Sequence, residues 1–325
     1  MLLGIALGGL LIVAALGLAS VIAFGGPTPP PPLVSIRDAV LKRDRTDLPK
    51  PTFFPARDQT TLAYRTYPAA AGPAIGAAVL IHGSVGSGAD MHEIAKALTM
   101  VGLDAYAPDL RGHGASGTRG DIAYVGQRED DLADLLDELD RRGAPARRVL
   151  IGHSSGGGFA LRVVALRFSR RFVGTILLSP YLGHDAPTAN PRERGWAKVG
   201  LPRLIGLAIL NHLGVRALNR LPVVAFAVDP TAVPDVTPAY SFRLRMNFAP
   251  HRDWRRDIAS TRGPLLVLVG ARDELFQANL FAELFAAAPK GRVELLVNID
   301  HMGIINDPAA LSAIAREGVK LLANP

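Results

Sequence analysis

Arg148-Val149-Leu150-Ile151-Gly152-His153-Ser154-Ser155-Gly156-Gly157-Gly158 is the stretch whose reading decides the fold. Its first four residues read as a buried strand, and the Gly- and Ala-rich run from Ser155 reads as a helix. Between them Gly152-His153-Ser154-Ser155-Gly156 spells G-x-S-x-G. A sharp strand-to-helix turn lifts the Ser154 hydroxyl into a cleft, and small residues at 152, 156 and 157 let the chain pass close to its neighbours. The backbone N–H of Ser155 is then free to face a developing oxyanion. The plainer alternative is a Gly/Ser-rich loop before a helix, but the flanking strand and helix favour a nucleophilic serine.

Working outward, short β-rich runs alternate with helical stretches. Thr52–Phe54 and Leu62–Tyr67 read as an opening antiparallel pair, followed by strand Ala77–Ile81, helix Met91–Met100 and strand Asp104–Pro108. Gln127–Arg142 is amphipathic, with Leu132, Leu135, Leu136 and Leu139 on one side. After helix Ser155–Phe168 come strand Gly174–Ser179, strand Leu265–Gly270, helix Leu275–Ala286, strand Val293–Val297 and helix Pro308–Leu322. Apolar strands joined by helices predict an α/β fold, a mostly parallel central sheet with helices on both faces. The alternation breaks over 183–261, read as a mostly helical lid above the carboxyl ends of the strands. This insertion carries most of the excess positive charge: His184 to Arg262 hold 12 Lys+Arg against 6 Asp+Glu.

A serine nucleophile needs a base, and the base needs a carboxylate to hold its tautomer. The expected order is serine, acid, histidine, the last two at the ends of later strands. Asp273 follows the penultimate strand and His301 the last, which makes them the acid and base. Glu274 is the alternative acid, and an N-cap is the alternative role for Asp273. Two oxyanion donors are required: the N–H of Ser155, and the N–H of Ser84 in the loop His82-Gly83-Ser84-Val85-Gly86-Ser87. His82 reads as structural. The glycine-bearing loop at 82–88 contains no G-x-x-x-x-G-K-[ST] and no G-x-G-x-x-G, and His92-Glu93 lacks the second histidine of H-E-x-x-H, so neither a cofactor nor a metal is expected. Epoxide hydrolase and haloalkane dehalogenase chemistry would each require aspartate at 154.

These residues carry a resemblance. The chain resembles the α/β-hydrolases of the monoacylglycerol lipase, lysophospholipase and serine aminopeptidase-like group over residues 52–323. Beside Gly152–Gly156, Asp109-Leu110-Arg111-Gly112-His113-Gly114-Ala115-Ser116 matches that group's D-x-R-G-H-G-x-S loop, and Arg57–Arg65 its first hairpin, with Gln59 at a frequent glycine. The resemblance implies that Asp109 and Arg111 organise the loop beside the nucleophile strand and that His113 is structural. His82-Gly83 matches the group's H-G oxyanion signature, whereas Ser84-Val85 replace its usual aromatic or glycine residues. The implied activity is cleavage of a carboxylic ester through an acyl-enzyme, on a monoacyl lipid or a short- to medium-chain ester. Peptidase and thioesterase chemistry use the same triad, and a membrane-tethered, non-catalytic binding module is the alternative of another class.

Residues 1–24 contain no charged side chain and are long enough to cross a ~30 Å hydrocarbon core. They read as a single-pass anchor, with a cleaved signal peptide as the alternative; no Lys or Arg precedes the run, as a signal peptide would require. Residues 25–51 read as a linker whose Pro29–Pro32 spacer holds the anchor away from the body. The following Arg37, Lys42, Arg43, Arg45 and Lys50 favour a cytoplasmic body, though they begin well past the span, and the side stays open. The hydrolase core is then 52–182 plus 262–325. Of the 325 residues none is cysteine, which excludes disulfides, thiolate metal sites and a cysteine nucleophile. The net charge of +7 permits an anionic-membrane partner. A nucleic-acid partner is not expected, because acidic and basic residues intersperse and the insertion has no aromatic platform.

Overall fold

The decisive strand is buried on both faces. In the computed structural model, which describes residues 2–33, 45–165, 170–190, 195–231 and 235–323, Val149, Leu150 and Ile151 are wholly inaccessible. Successive side chains point to opposite faces: Leu150 joins a cluster with Leu132, Leu136 and Phe159, while Val149 and Ile151 join Ile94, Leu98 and Ile314. That is why the run shows no polar alternation, and it places one layer of helices on each side of the sheet.

The strands are β1 (Thr52–Pro55), β2 (Thr61–Tyr67), β3 (Gly76–Ile81), β4 (Leu103–Asp109), β5 (Arg148–His153), β6 (Gly174–Leu178), β10 (Leu265–Gly270) and β11 (Gly291–Leu296), in the spatial order β1-β2-β4-β3-β5-β6-β10-β11. The pairs β1–β2 and β2–β4 are antiparallel and the rest parallel. Helices α2 (His92–Met100) and α9 (Pro308–Ala323) pack on one face; α3 (Gln127–Arg141) and α4 (Ser155–Ala165) pack on the other. The chain turns from β3 to β4 on one side and resumes with β5 on the other. The carboxyl ends of β3 and β5 are therefore adjacent, with Ile81 opposite Gly152, at the switch point where open α/β sheets bind ligands.

The expected helix Leu275–Ala286 forms only as a turn at Ala278–Leu280 and the short α8 (Phe281–Phe285). Its first residues are held elsewhere: the Leu275 carbonyl accepts from Asn190 N–H, and the Gln277 N–H donates to the Thr188 carbonyl.

The insertion carries helices α5 (Leu201–His212), α6 (Phe242–Asn247) and α7 (Trp254–Ser260). It also carries a three-stranded antiparallel sheet of β7 (Ala197–Val199), β8 (Pro222–Phe226) and β9 (Ala239–Ser241), which the sequence reading does not anticipate. Strands of three to five residues are too short to show a period of two.

The amino-terminal helix α1 (Leu2–Phe24) is the one helix among the described residues long and apolar enough to cross a membrane, a property an anchor and a signal sequence share. Leu10, Ile12, Val13 and Leu16 are exposed, and Phe24 is 87% exposed. Its last turn nevertheless sits on the insertion, and this corrects the expectation of a spacer that holds it away. The Arg203 guanidinium donates to the carbonyls of Ile22 (2.7 Å), Ala23 (2.8 Å) and Pro222 (3.0 Å), and the Arg203 N–H donates to Gly25. Those of Ile22, Ala23 and Gly25 are carbonyls that the end of α1 leaves without helical partners, and a cation there also interacts favourably with the helix dipole. Gly206 lets the contact form, since a side chain there would collide with Ile22. The proline run continues along the insertion to Leu33, whose N–H donates to the Ala227 carbonyl.

Candidate active site

Ser154 sits on the turn between β5 and α4 with φ = 53°, a left-handed conformation that serine rarely adopts. Three bonds hold it there: its N–H donates to Leu178 (2.9 Å), and its carbonyl accepts from Gly158 (3.0 Å) and Tyr181 (2.9 Å). The glycines are sterically required. A Cβ at 152 would overlap the Gly156 carbonyl, and one at 156 would overlap the His82 carbonyl.

His301 and Asp273 converge on this turn from the loops after β11 and β10. His301 Nε2 lies 3.2 Å from Ser154 Oγ, and His301 Nδ1 lies 2.9 Å from Asp273 Oδ2. The ionised carboxylate only accepts, so the ring proton is on Nδ1 and the Nε2 lone pair faces the serine hydroxyl. The other oxygen of Asp273 accepts from the N–H groups of Leu275 (3.0 Å) and Phe276 (2.9 Å). The capping role and the pairing with histidine thus coexist in one carboxylate. Glu274, the alternative acid, instead accepts from the His301 backbone N–H at 3.0 Å. Asp300 accepts from Gly303 at 2.6 Å. Burial pushes the His301 imidazole down, but the adjoining Asp273 carboxylate, with Glu274 and Asp300 behind it, outweighs burial and holds it above its ordinary value. His301, Asp273 and Ser154 are all buried.

The loop after β3 lies against the turn: a Cβ on Gly83 would meet Ser154 Cβ at 3.4 Å. His82 is structural, as expected. Its Nε2 accepts from the Leu110 N–H at 3.1 Å, so its proton is on Nδ1, which donates to the Gly83 carbonyl at 2.7 Å. In a trans peptide the next N–H points the opposite way, so this bond aims the Ser84 N–H away from the His82 ring. Asp109 accepts from Gly88 (2.8 Å) and Ala115 (2.9 Å), and Arg111 pairs with Asp58 and Asp131, so both organise the neighbouring loop.

Several partners escape sequence reasoning. His153 Nε2 donates to the His301 carbonyl at 3.2 Å. Trp196 Nε1 donates to Ser84 Oγ at 3.2 Å. Arg128, on the charged-looking helix α3, is fully buried over the Phe248 ring and donates to His113 Nδ1 at 2.8 Å. Only His153 had a local signal, its place inside the pentapeptide.

With this geometry goes a family match: the profile described as serine aminopeptidase, S33, covers residues 72–308. The chain belongs to that family. Like other members of that family it is an α/β-hydrolase of the serine-hydrolase type. A monoacylglycerol lipase of Mycolicibacterium smegmatis is 29% identical over 204 residues, 62% of this chain and 71% of that protein. A soluble variant of the Saccharomyces cerevisiae monoglyceride lipase, solved with a substrate analogue, superposes with a TM-score of 0.64 at 16% identity, covering 86% of this chain and 97% of that one. The Paleococcus ferrophilus monoacylglycerol lipase gives 0.58 at 22% identity, covering 80% and 98%. At such identities the two superpositions speak for the fold alone.

Proposed function

We propose that Ser154 is the nucleophile, His301 the general base and Asp273 the group that orients it, with the N–H groups of Ser84 and Ser155 forming the oxyanion hole. Ser154 Oγ adds to the ester carbonyl as its proton passes to His301 Nε2. The imidazolium then protonates the departing alcohol, and water, activated by the same nitrogen, releases the acid. The observation that carries this reading is the 3.2 Å approach of His301 Nε2 to Ser154 Oγ with Asp273 on the opposite nitrogen. Residues 52–182 and 262–325 form the catalytic core, 183–261 the lid, 25–51 the linker and 1–24 a single-pass membrane anchor.

The substrate class is a monoacyl lipid ester. Two features support it: the 29% identity to the Mycolicibacterium smegmatis monoacylglycerol lipase, and the apolar side chains that α5 leaves exposed beside α1, Leu201 (57%), Ile205 (51%) and Ile209 (45%). The test is a substrate panel on the full-length protein in detergent: monoacylglycerols, lysophospholipids, short p-nitrophenyl esters, thioesters and aminoacyl p-nitroanilides. Turnover of monoacylglycerols above that of the short esters is expected. Faster cleavage of the anilides than of every ester would make the protein a peptidase instead.

A further inference from the structure

The loop that supplies the Ser84 N–H contains a residue in an unusual conformation. Val85 has φ = 61°, and the Ser84 carbonyl accepts from the Gly86 N–H across it at 2.8 Å. This is a three-residue γ-turn in its rarer positive-φ form, centred on a β-branched residue that disfavours that region. Such a conformation persists only where its surroundings over-determine it.

Both polar groups of Val85 are held by the insertion. Its carbonyl accepts from the Thr237 N–H at 2.8 Å, and its N–H donates to the Tyr240 hydroxyl oxygen at 2.9 Å. That oxygen is itself fixed. Arg128 occupies His113 Nδ1 as a donor, so the His113 proton is on Nε2, which donates to Tyr240 at 2.7 Å. The Tyr240 ring is buried against Phe226, with centroids 4.6 Å apart, and against His113 at 5.2 Å. His82 fixes the preceding peptide through the Gly83 carbonyl. None of these bonds uses the Ser84 N–H.

We infer that Tyr240 is a positioning residue for ester hydrolysis: it holds Val85 in its left-handed turn and so keeps the Ser84 N–H aimed into the oxyanion hole. The inference rests on the proposed assignment of Ser84 as an oxyanion donor. It also gives the insertion a second role, because part of the catalytic geometry is set by a strand of the lid, 155 residues away in sequence.

Tyr240→Phe removes one oxygen and leaves the ring packing intact. If Tyr240 positions the loop, kcat on a short soluble ester falls by about 10²-fold, the scale of a lost oxyanion donor, while KM changes little. Glycine adopts positive φ freely. Val85→Gly added to Tyr240→Phe should therefore recover most of the lost kcat, which a merely structural defect would not do. A Tyr240→Phe variant within about twofold of wild type overturns the inference, as does a double variant no faster than the single one. Should the single variant not fold, the double variant is read against Val85→Gly alone. Near-equal kcat values are then expected, and a tenfold deficit in the double variant overturns the inference. In parallel, a fluorophosphonate label on wild-type protein that maps away from Ser154 would overturn the underlying assignment and this inference with it.

Discussion

Replacing Asp273 by asparagine should abolish turnover while leaving the fold in place, and the structure says why in atomic terms. One oxygen of Asp273 accepts two backbone N–H bonds, from Leu275 at 3.0 Å and Phe276 at 2.9 Å. An asparagine oxygen must take that position. The flipped amide would set NH2 against two donors and forfeit both bonds, at ~1–3 kcal/mol for each unsatisfied group. The amide nitrogen is therefore left facing His301 Nδ1, where the carboxylate oxygen stood at 2.9 Å. Donor now meets donor, so the imidazole moves its proton to Nε2 and can no longer accept one from Ser154. Loss of the correct tautomer corresponds to about 10⁴ in kcat, or about 5.5 kcal/mol. The assay is initial rates on a p-nitrophenyl ester, with thermal unfolding as the fold check; because the caps survive, the midpoint should move by only a few degrees. Glu274→Gln keeps an acceptor for the His301 N–H and should stay within about threefold of wild type, roughly 0.6 kcal/mol. A Asp273→Asn variant within about tenfold of wild type, or a Glu274→Gln variant as inactive as Asp273→Asn is expected to be, would refute the tautomer argument.

The acid limb of the kcat/KM profile should lie above pH 6.5, the ordinary imidazole value, because the folded protein favours the protonated ring and activity is lost as pH falls through its raised pKa. A limb below 6.5 contradicts the electrostatics described. Gly156→Ala forces a side chain onto the His82 carbonyl and should cost at least ~1–3 kcal/mol in denaturant unfolding. An unchanged midpoint contradicts the close approach. Full-length protein should pellet with membranes and resist salt extraction, whereas a native amino terminus near Ser20 would show a processed leader. Arg203→Glu should speed proteolysis between Gly25 and Leu33 by at least about tenfold, since it releases the Ile22 and Ala23 carbonyls. An unchanged cleavage rate would mean that Arg203 does not hold the segment.

What could be read from the chain is what local chemistry dictates. The turn at Ser154 announces itself because overlapping backbones leave room only for glycine at 152 and 156. Asp273 and His301 follow from their order and their places just past strand ends. The insertion was less legible. Its sheet is made of strands too short to show alternation, and its surplus arginines look alike in sequence although they behave differently. Arg203 is committed to the carbonyls at the end of α1. Arg243 pairs with Asp121 at 2.5 Å. Arg128 looked like one more charge on an exposed helix face, and only the fold reveals it beneath His113. Tyr240 carried no signal, because its task is defined by Val85 and His113, more than a hundred residues away.

The central claim is that Ser154, activated by His301, forms the acyl-enzyme. Its most direct measurement is peptide mapping of full-length protein reacted with a fluorophosphonate, for wild type and for Ser154→Ala and His301→Ala. One adduct on Ser154 is predicted, absent from Ser154→Ala and formed at least about 10³-fold more slowly in His301→Ala. An adduct on Ser155 or Ser84, or labelling that persists in Ser154→Ala at the wild-type rate, would contradict it.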